Sequence, residues 1–165
     1  GNIQVAIDAV RAASQPHWFP SLTKEGAPAL LQTAGNPDCH VVLRGGAQPN
    51  YRRDAIDGAM AALASGGFHT GVVIDCSHGN SSKQPERQLE VALDVARQHD
   101  EDRSAGKPRR IAGIMLESHL QAGNQSIDAT PLTYGQSITD PCMSWRDTES
   151  LLQELATATR LRREG

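Results

Sequence analysis

Long apolar runs are missing from this 165-residue chain. No stretch approaches the ~20 consecutive apolar residues of a membrane-crossing helix, and no apolar N-terminal run reads as a signal peptide. A soluble, cytoplasmic protein is therefore expected, with no membrane partner. Positive charge is not in excess either. At a net charge of −3 the chain offers no global attraction for nucleic acid or anionic lipid, although a local basic pocket for phosphate is compatible with that balance. Cysteine is scarce: Cys39, Cys76 and Cys142 are odd in number and show no CxxC spacing. That suits buried thiols in a reducing cytosol better than a disulfide framework. Internal repeats and low-complexity tracts are also absent.

What is present is one core's worth of apolar residues. At 38% hydrophobic composition the chain can bury a single core of ordinary size, with little room for a second domain. Residues 2–14 read as a helix followed by Pro16. Residues 18–23 and 29–33 flank a Lys24-Glu25-Gly26-Ala27-Pro28 turn and read as a β-hairpin. Buried strands are expected at 41–43, 72–74 and 111–116, with helices at 54–64 and 86–98 between them and a closing helix at 147–163. Leu89, Leu93 and Ala96 follow helical spacing in the second of these helices, with Val91, Ala92 and Val95 broadening its face. Leu151, Leu152, Leu155 and Ala158 do so in the last. The charged segment 99–110 reads as a solvated loop. This order implies α/β architecture, with parallel strands, crossover helices and an inserted hairpin.

Each of the three apolar strands runs into chemistry-bearing residues. Val41, Val42 and Leu43 lead to Arg44-Gly45-Gly46, Val72 to Ile74 lead to Asp75-Cys76-Ser77-His78-Gly79-Asn80-Ser81-Ser82-Lys83, and the third leads to Glu117-Ser118-His119. Alternation puts His78 on the face of Ile74 and Cys76, and Glu117 on that of Gly113 and Met115, with Asp75 on the opposite parity, either facing away from the site or supporting it through a hydrogen bond. An imidazole and a carboxylate from different strands, joined by a loop Asp, suit a divalent transition metal. Spacing alone favours a hydrogen-bonded structural role for a lone strand-end His. Arg44 beside two glycines fits bidentate grip on phosphate or carboxylate, or an exposed loop position. A buried Cys76 commonly acts as a small hydrophobe.

These motifs, with Gly135-Gln136-Ser137-Ile138-Thr139-Asp140, resemble the type I class of 3-deoxy-D-arabino-heptulosonate 7-phosphate (DAHP) synthases along the whole chain. The resemblance implies the C-terminal part of a TIM (β/α)8 barrel. A full barrel takes ~250 residues, so residues 1–165 are expected to form one portion of a single barrel domain, with the N-terminal strands upstream. It implies condensation of phosphoenolpyruvate with erythrose 4-phosphate, the first step of the shikimate pathway, dependent on Mn2+, Fe2+, Co2+ or Zn2+. Within it His78, Glu117 and Asp140 match metal ligands, His78 and Asp140 carry catalytic roles, and Arg44 matches a phosphoenolpyruvate contact. The family's Cys ligand and catalytic Lys belong upstream, so residues 1–165 alone are expected to be inactive. The hairpin matches the aromatic amino-acid inhibitor site of allosteric members, which marks Phe19, Ser21 and Leu31 as effector contacts, although a hairpin needs apolar residues simply to pack. A homo-oligomer is expected. The contrasting expectation is a non-catalytic truncated barrel acting as a regulatory or assembly module through its open edge.

Overall fold

Asn2 opens the first helix by accepting a hydrogen bond from the Gln4 amide at 2.9 Å, a side chain serving a donor that the first turn leaves without a partner. The computed structural model describes residues 2–163, apart from the side chains of Ala158 and residues 160–163. Helix α1 (Ile3–Ala13) buries Ile7 and Val10. The expected hairpin follows as β1 (Trp18–Leu22) and β2 (Pro28–Gln32), antiparallel with Phe19 opposite Leu31 and Ser21 opposite Ala29. Its turn uses Gly26 at φ 82°, where a side chain would be strained.

The centre of the fold is β3 (Val42–Leu43), helix α2 (Arg53–Ser65), β4 (Val72–Asp75), helix α3 (Arg87–Ser104) and β5 (Ile111–Met115). The three strands form a parallel sheet in the order β3-β4-β5, as crossover helices require. Leu43, Ile56, Leu63, Val72 and Ile74 are buried in one apolar cluster with Ile7. Each fully buried Ile or Leu there contributes about 2 kcal/mol of transfer free energy. Beyond β5 the ladder resumes as β6 (Ser118–His119) paired in parallel with β7 (Met143–Ser144), a strand position too short to register in the apolar pattern. Helix α4 (Trp145–Arg163) closes the chain. None of the described helices is long and apolar enough to cross a membrane.

Two helices differ from the sequence expectation. Segment 99–104 is helical, because the charges that read as a solvated loop pair along the helix and across it. Arg97 bridges to Asp94 and Glu101, while buried Asp102 takes Arg53 and Arg110. A Schellman turn ends the helix: Gly106, at φ 64°, bonds Arg103 O, and the Lys107 amide bonds Asp102 O at 2.9 Å. The buried face of α3 includes the expected Val91, Ala92 and Val95, with Leu89 packed partly against the core, but it is completed by Gln88, Gln98 and Asp102, and Leu93 is exposed. In α4, Leu151 is buried and Leu155 partly so, whereas Leu152 points to solvent. Neighbouring positions on a helix lie about 100° apart. The expectation for Ala158 falls outside the described side chains.

Candidate functional site

Parallel strands deliver their C-terminal loops to one end of the sheet. There the Arg44-Gly45-Gly46 loop meets the Ser77-His78-Gly79-Asn80 turn in close backbone contact. The Gly79 amide donates to Arg44 O at 3.1 Å. A Cβ on Gly45 would lie 2.6 Å from the Asn80 nitrogen, and one on Gly79 would lie 2.7 Å from the Gly45 carbonyl carbon. Only glycine fits on both sides of this contact. Asn80 pins it: buried to 1% exposure, it donates to Leu43 O at 3.0 Å and Asp75 O at 2.8 Å, and accepts from the Asn50 amide at 2.7 Å.

Strand alternation does not reach His78. The strand ends at Asp75, and the chain then turns so that His78 adopts φ 50°. Residues held in this region cluster at functional sites. The turn brings the Asp75 side chain, assigned by parity to the other face, within 2.9 Å of His78 Nδ1. Ser77 completes the arrangement, its amide and hydroxyl both reaching Asp75 Oδ1, at 2.9 and 2.6 Å, and its oxygen lying 2.6 Å from Nδ1. With Nδ1 occupied, Nε2 faces Glu117 Oε1 at 3.5 Å and Asp140 Oδ2 at 3.8 Å.

Glu117 likewise lies past the end of its strand, between β5 and β6. Asp140 comes from the 120–142 loop. This loop is held by the antiparallel bridge of Gly123 with Cys142 and by Asn124 Nδ2 donating to Thr139 O at 2.8 Å. One ligand atom from each of His78, Glu117 and Asp140 lies within 4.8 Å of the others. Burial raises the pKa of Glu117, and Asp140 and Asp75 add to the rise, whereas His78 and Arg44 oppose it. Two carboxylates crowded against one imidazole gain from a shared cation, and the nitrogen-oxygen donor set suits a divalent transition ion. The donors present thus fit a metal.

The cleft over these atoms, lined by Ser77, His78, Ser81, Lys83, Glu117, Asp140 and Pro141, holds about 10 Å³. That is room for one ion or water, so any larger ligand would lie across its mouth. A groove of about 710 Å³ between α3 and α4 is larger, but it is open and lacks an imidazole–carboxylate convergence. Arg44 is exposed, and its charge reaches Glu117. His119 lies apart, its Nδ1 accepting from the Leu120 amide at 2.8 Å. Cys76 is fully buried and its thiol is pushed up to about 12, by burial first and Asp75 second. On the hairpin, Phe19 and Leu31 are cross-strand partners and Ser21 follows two positions on. All three therefore share one face of the hairpin.

For Asp75 the sequence leaves open a position facing away from His78 or a supporting hydrogen bond to the site, and the turn makes the hydrogen bond the outcome. Gln88 left only the trace of a polar residue on an apolar helix face. From α3 it pairs with the Glu117 backbone, Oε1 accepting at 2.9 Å and Nε2 donating at 3.2 Å.

Known proteins resemble this chain in sequence and fold. The Phe-sensitive phospho-2-dehydro-3-deoxyheptonate aldolase of Escherichia coli K12 is 48% identical over 164 residues, 99% of this chain and 45% of that protein. The Trp-sensitive aldolase of the same organism is 48% identical over 159 residues, 96% of this chain and 44% of that protein. The solved phospho-2-dehydro-3-deoxyheptonate aldolase of Francisella tularensis SCHU S4 superposes with a TM-score of 0.89 at 45% identity, covering 98% of this chain and 46% of that one. The chain thus spans about half the length of the curated relatives it matches. Since residues 1–153 match the DAHP synthetase I family, the chain belongs to that family.

Proposed function

We propose that the complete protein is a DAHP synthase, condensing phosphoenolpyruvate with erythrose 4-phosphate to give DAHP and phosphate, within a TIM barrel of which these residues supply the C-terminal strands. The observation that carries the reading is the meeting of His78, Glu117 and Asp140 at the strand ends, with ligand atoms within 4.8 Å. These side chains hold a divalent transition cation. When bound, the ion supplies Lewis acidity toward the aldehyde oxygen of erythrose 4-phosphate. His78 is held by Asp75 so that Nε2 stays directed at the site. Asp140, the most exposed of the three, is placed to orient the aldose as well. Arg44 grips phosphoenolpyruvate through its guanidinium fork, from a loop that two glycines keep close to the His78 turn.

The shared face of Phe19, Ser21 and Leu31 supports an aromatic amino-acid effector site on the hairpin. That relatives are named Phe-sensitive and Trp-sensitive supports the same reading. The protein works in the cytoplasm as a homo-oligomer. Residues 1–165 alone do not catalyse the reaction.

The test uses the complete protein, stripped of metal with a chelator and reloaded with Mn2+, assayed for DAHP and phosphate from both substrates. Metal-dependent turnover is expected, with a loss of at least a hundredfold in His78→Ala while circular dichroism stays unchanged. Turnover that survives chelation, or a fully active His78→Ala protein, would overturn the reading.

A further inference from the structure

We propose that Gln88 is a positioning residue for the cation site: from α3 it fixes the backbone of Glu117 and so sets where the Glu117 carboxylate stands. This rests on the reading of His78, Glu117 and Asp140 as metal ligands.

Gln88 is fully buried, at the start of a helix face that continues through Val91, Ala92 and Val95 to Gln98 and Asp102. A buried amide must find partners, and this one directs both of its polar atoms to a single residue. Oε1 accepts from the Glu117 N–H at 2.9 Å and Nε2 donates to the Glu117 carbonyl at 3.2 Å. The side chain thus offers Glu117 the donor and acceptor that a neighbouring strand would offer.

A stand-in is needed because Glu117 lies in a gap between two ladders. Pairing of β4 with β5 ends at Asp75 opposite Met115, with the Cys76 amide on Met115 O at 2.9 Å. Pairing of β6 with β7 starts at Ser118 opposite Met143. The Met143 amide reaches the Glu117 carbonyl at 2.9 Å, but among the described residues the acceptor for the Glu117 N–H is Gln88. The chain leaves one ladder and joins the next at the residue whose carboxylate faces His78. Without Gln88, Met143 would still hold the Glu117 carbonyl, but the 116–117 peptide plane would lose the acceptor for its N–H and be free to rotate and swing that carboxylate. Helix α3 is a firm base for the grip, since its buried face packs against the sheet and Gln98 donates to Tyr51 O at 3.0 Å further along.

A buried glutamine that served stability alone would have the same hydrogen bonds, so the test must read the ion. The complete protein, Gln88→Met, Glu117→Gln and the double variant are titrated with Mn2+. Free ion is followed by electron paramagnetic resonance, at a temperature where circular dichroism shows each protein folded. Expected is a roughly 10- to 100-fold weaker Mn2+ affinity in Gln88→Met, weaker affinity in Glu117→Gln, and no further loss beyond about twofold when the two are combined. If Gln88→Met does not fold, Gln88→Leu takes its place in the same cycle, since it likewise removes the acceptor for the Glu117 N–H while filling most of the volume. Unchanged affinity in the Gln88 variant while Glu117→Gln is impaired would overturn the positioning role alone, as would losses that multiply in the double variant. Unchanged affinity in Glu117→Gln would overturn the ligand reading beneath it.

Discussion

Asp75 Oδ2 lies 2.9 Å from His78 Nδ1, across a turn in which His78 takes a left-handed backbone conformation. A carboxylate accepts, so Nδ1 carries the proton and the lone pair of the neutral ring is left at Nε2, toward Glu117 and Asp140. Exchanging Asp75 for Asn offers Nδ1 an amide donor, which favours the opposite tautomer. Asp75→Asn in the complete protein is expected to bind Mn2+ at least roughly tenfold more weakly at an unchanged melting temperature. Isothermal titration with thermal unfolding checks this, and an unaltered affinity would remove Asp75 from the support of the site.

Arg44 and the metal cluster arise on neighbouring loops locked through Gly45 and Gly79. Lysine keeps the charge of Arg44 but not the planar fork. Arg44→Lys is therefore expected to raise the KM for phosphoenolpyruvate at least roughly tenfold, with a smaller effect for erythrose 4-phosphate. Steady-state kinetics with each substrate varied in turn would separate the outcomes. Equal defects for both, or none, would assign Arg44 to the loop rather than to substrate.

The strands were legible because they are short and rich in Val and Ile, but burial was legible only in part: β4 is largely buried, whereas Val42, Ala112 and Met115 are exposed, because these strands have a covered and an uncovered face. Gln88 was not legible, and Asp75 was only an open alternative. Alternation predicts facing only while the strand continues, and at His78 a left-handed residue ends it. Gln88 and Asp102 stand on the buried face of α3, where an apolar pattern argues against burial, yet their hydrogen bonds and ion pairs satisfy them there. The same blindness turned segment 99–104 into a loop, since charge density does not distinguish a solvated segment from a helix laced with ion pairs. Strand-end position made a metal at His78, Glu117 and a loop Asp one open reading, and motif resemblance is what matched His78, Glu117 and Asp140 to ligands. Their convergence depends on a turn, a gap between ladders and a long loop, and none of these has a periodicity to read.

Asp102 accepts from Arg53 at 2.7 Å and from Arg110 Nε at 2.6 Å. Burial acts to raise its pKa, but the hydrogen bonds from the two arginines outweigh it and hold the carboxyl below its ordinary value. A depressed folded-state pKa contributes stability that is present above the unfolded value of ~3.9 and lost as pH falls through the folded one. Asp102→Asn is expected to lower stability by about 3 kcal/mol at neutral pH, with the difference from wild type narrowing below about pH 4. Urea unfolding across that range is the measurement, and a gap that stays constant into acid would show that the charge of Asp102 carries no stability.

Cys76 lies in the core at the end of β4, one residue from Asp75, its thiol pushed up to about 12. The thiolate is the reactive and ligating form, so at pH 8 only about one Cys76 in 10,000 is poised to react or to bind an ion. Partly exposed Cys39 is expected to react with iodoacetamide in the folded protein while Cys76 stays unmodified until urea unfolds the chain. Cys76→Ala should cost about 1 kcal/mol through the small cavity it leaves, with Mn2+ affinity unchanged. Peptide mass mapping of the alkylated protein and a Mn2+ titration of the variant decide the matter together. Rapid native labelling of Cys76, or weaker Mn2+ binding in Cys76→Ala, would move this residue from the core to the site.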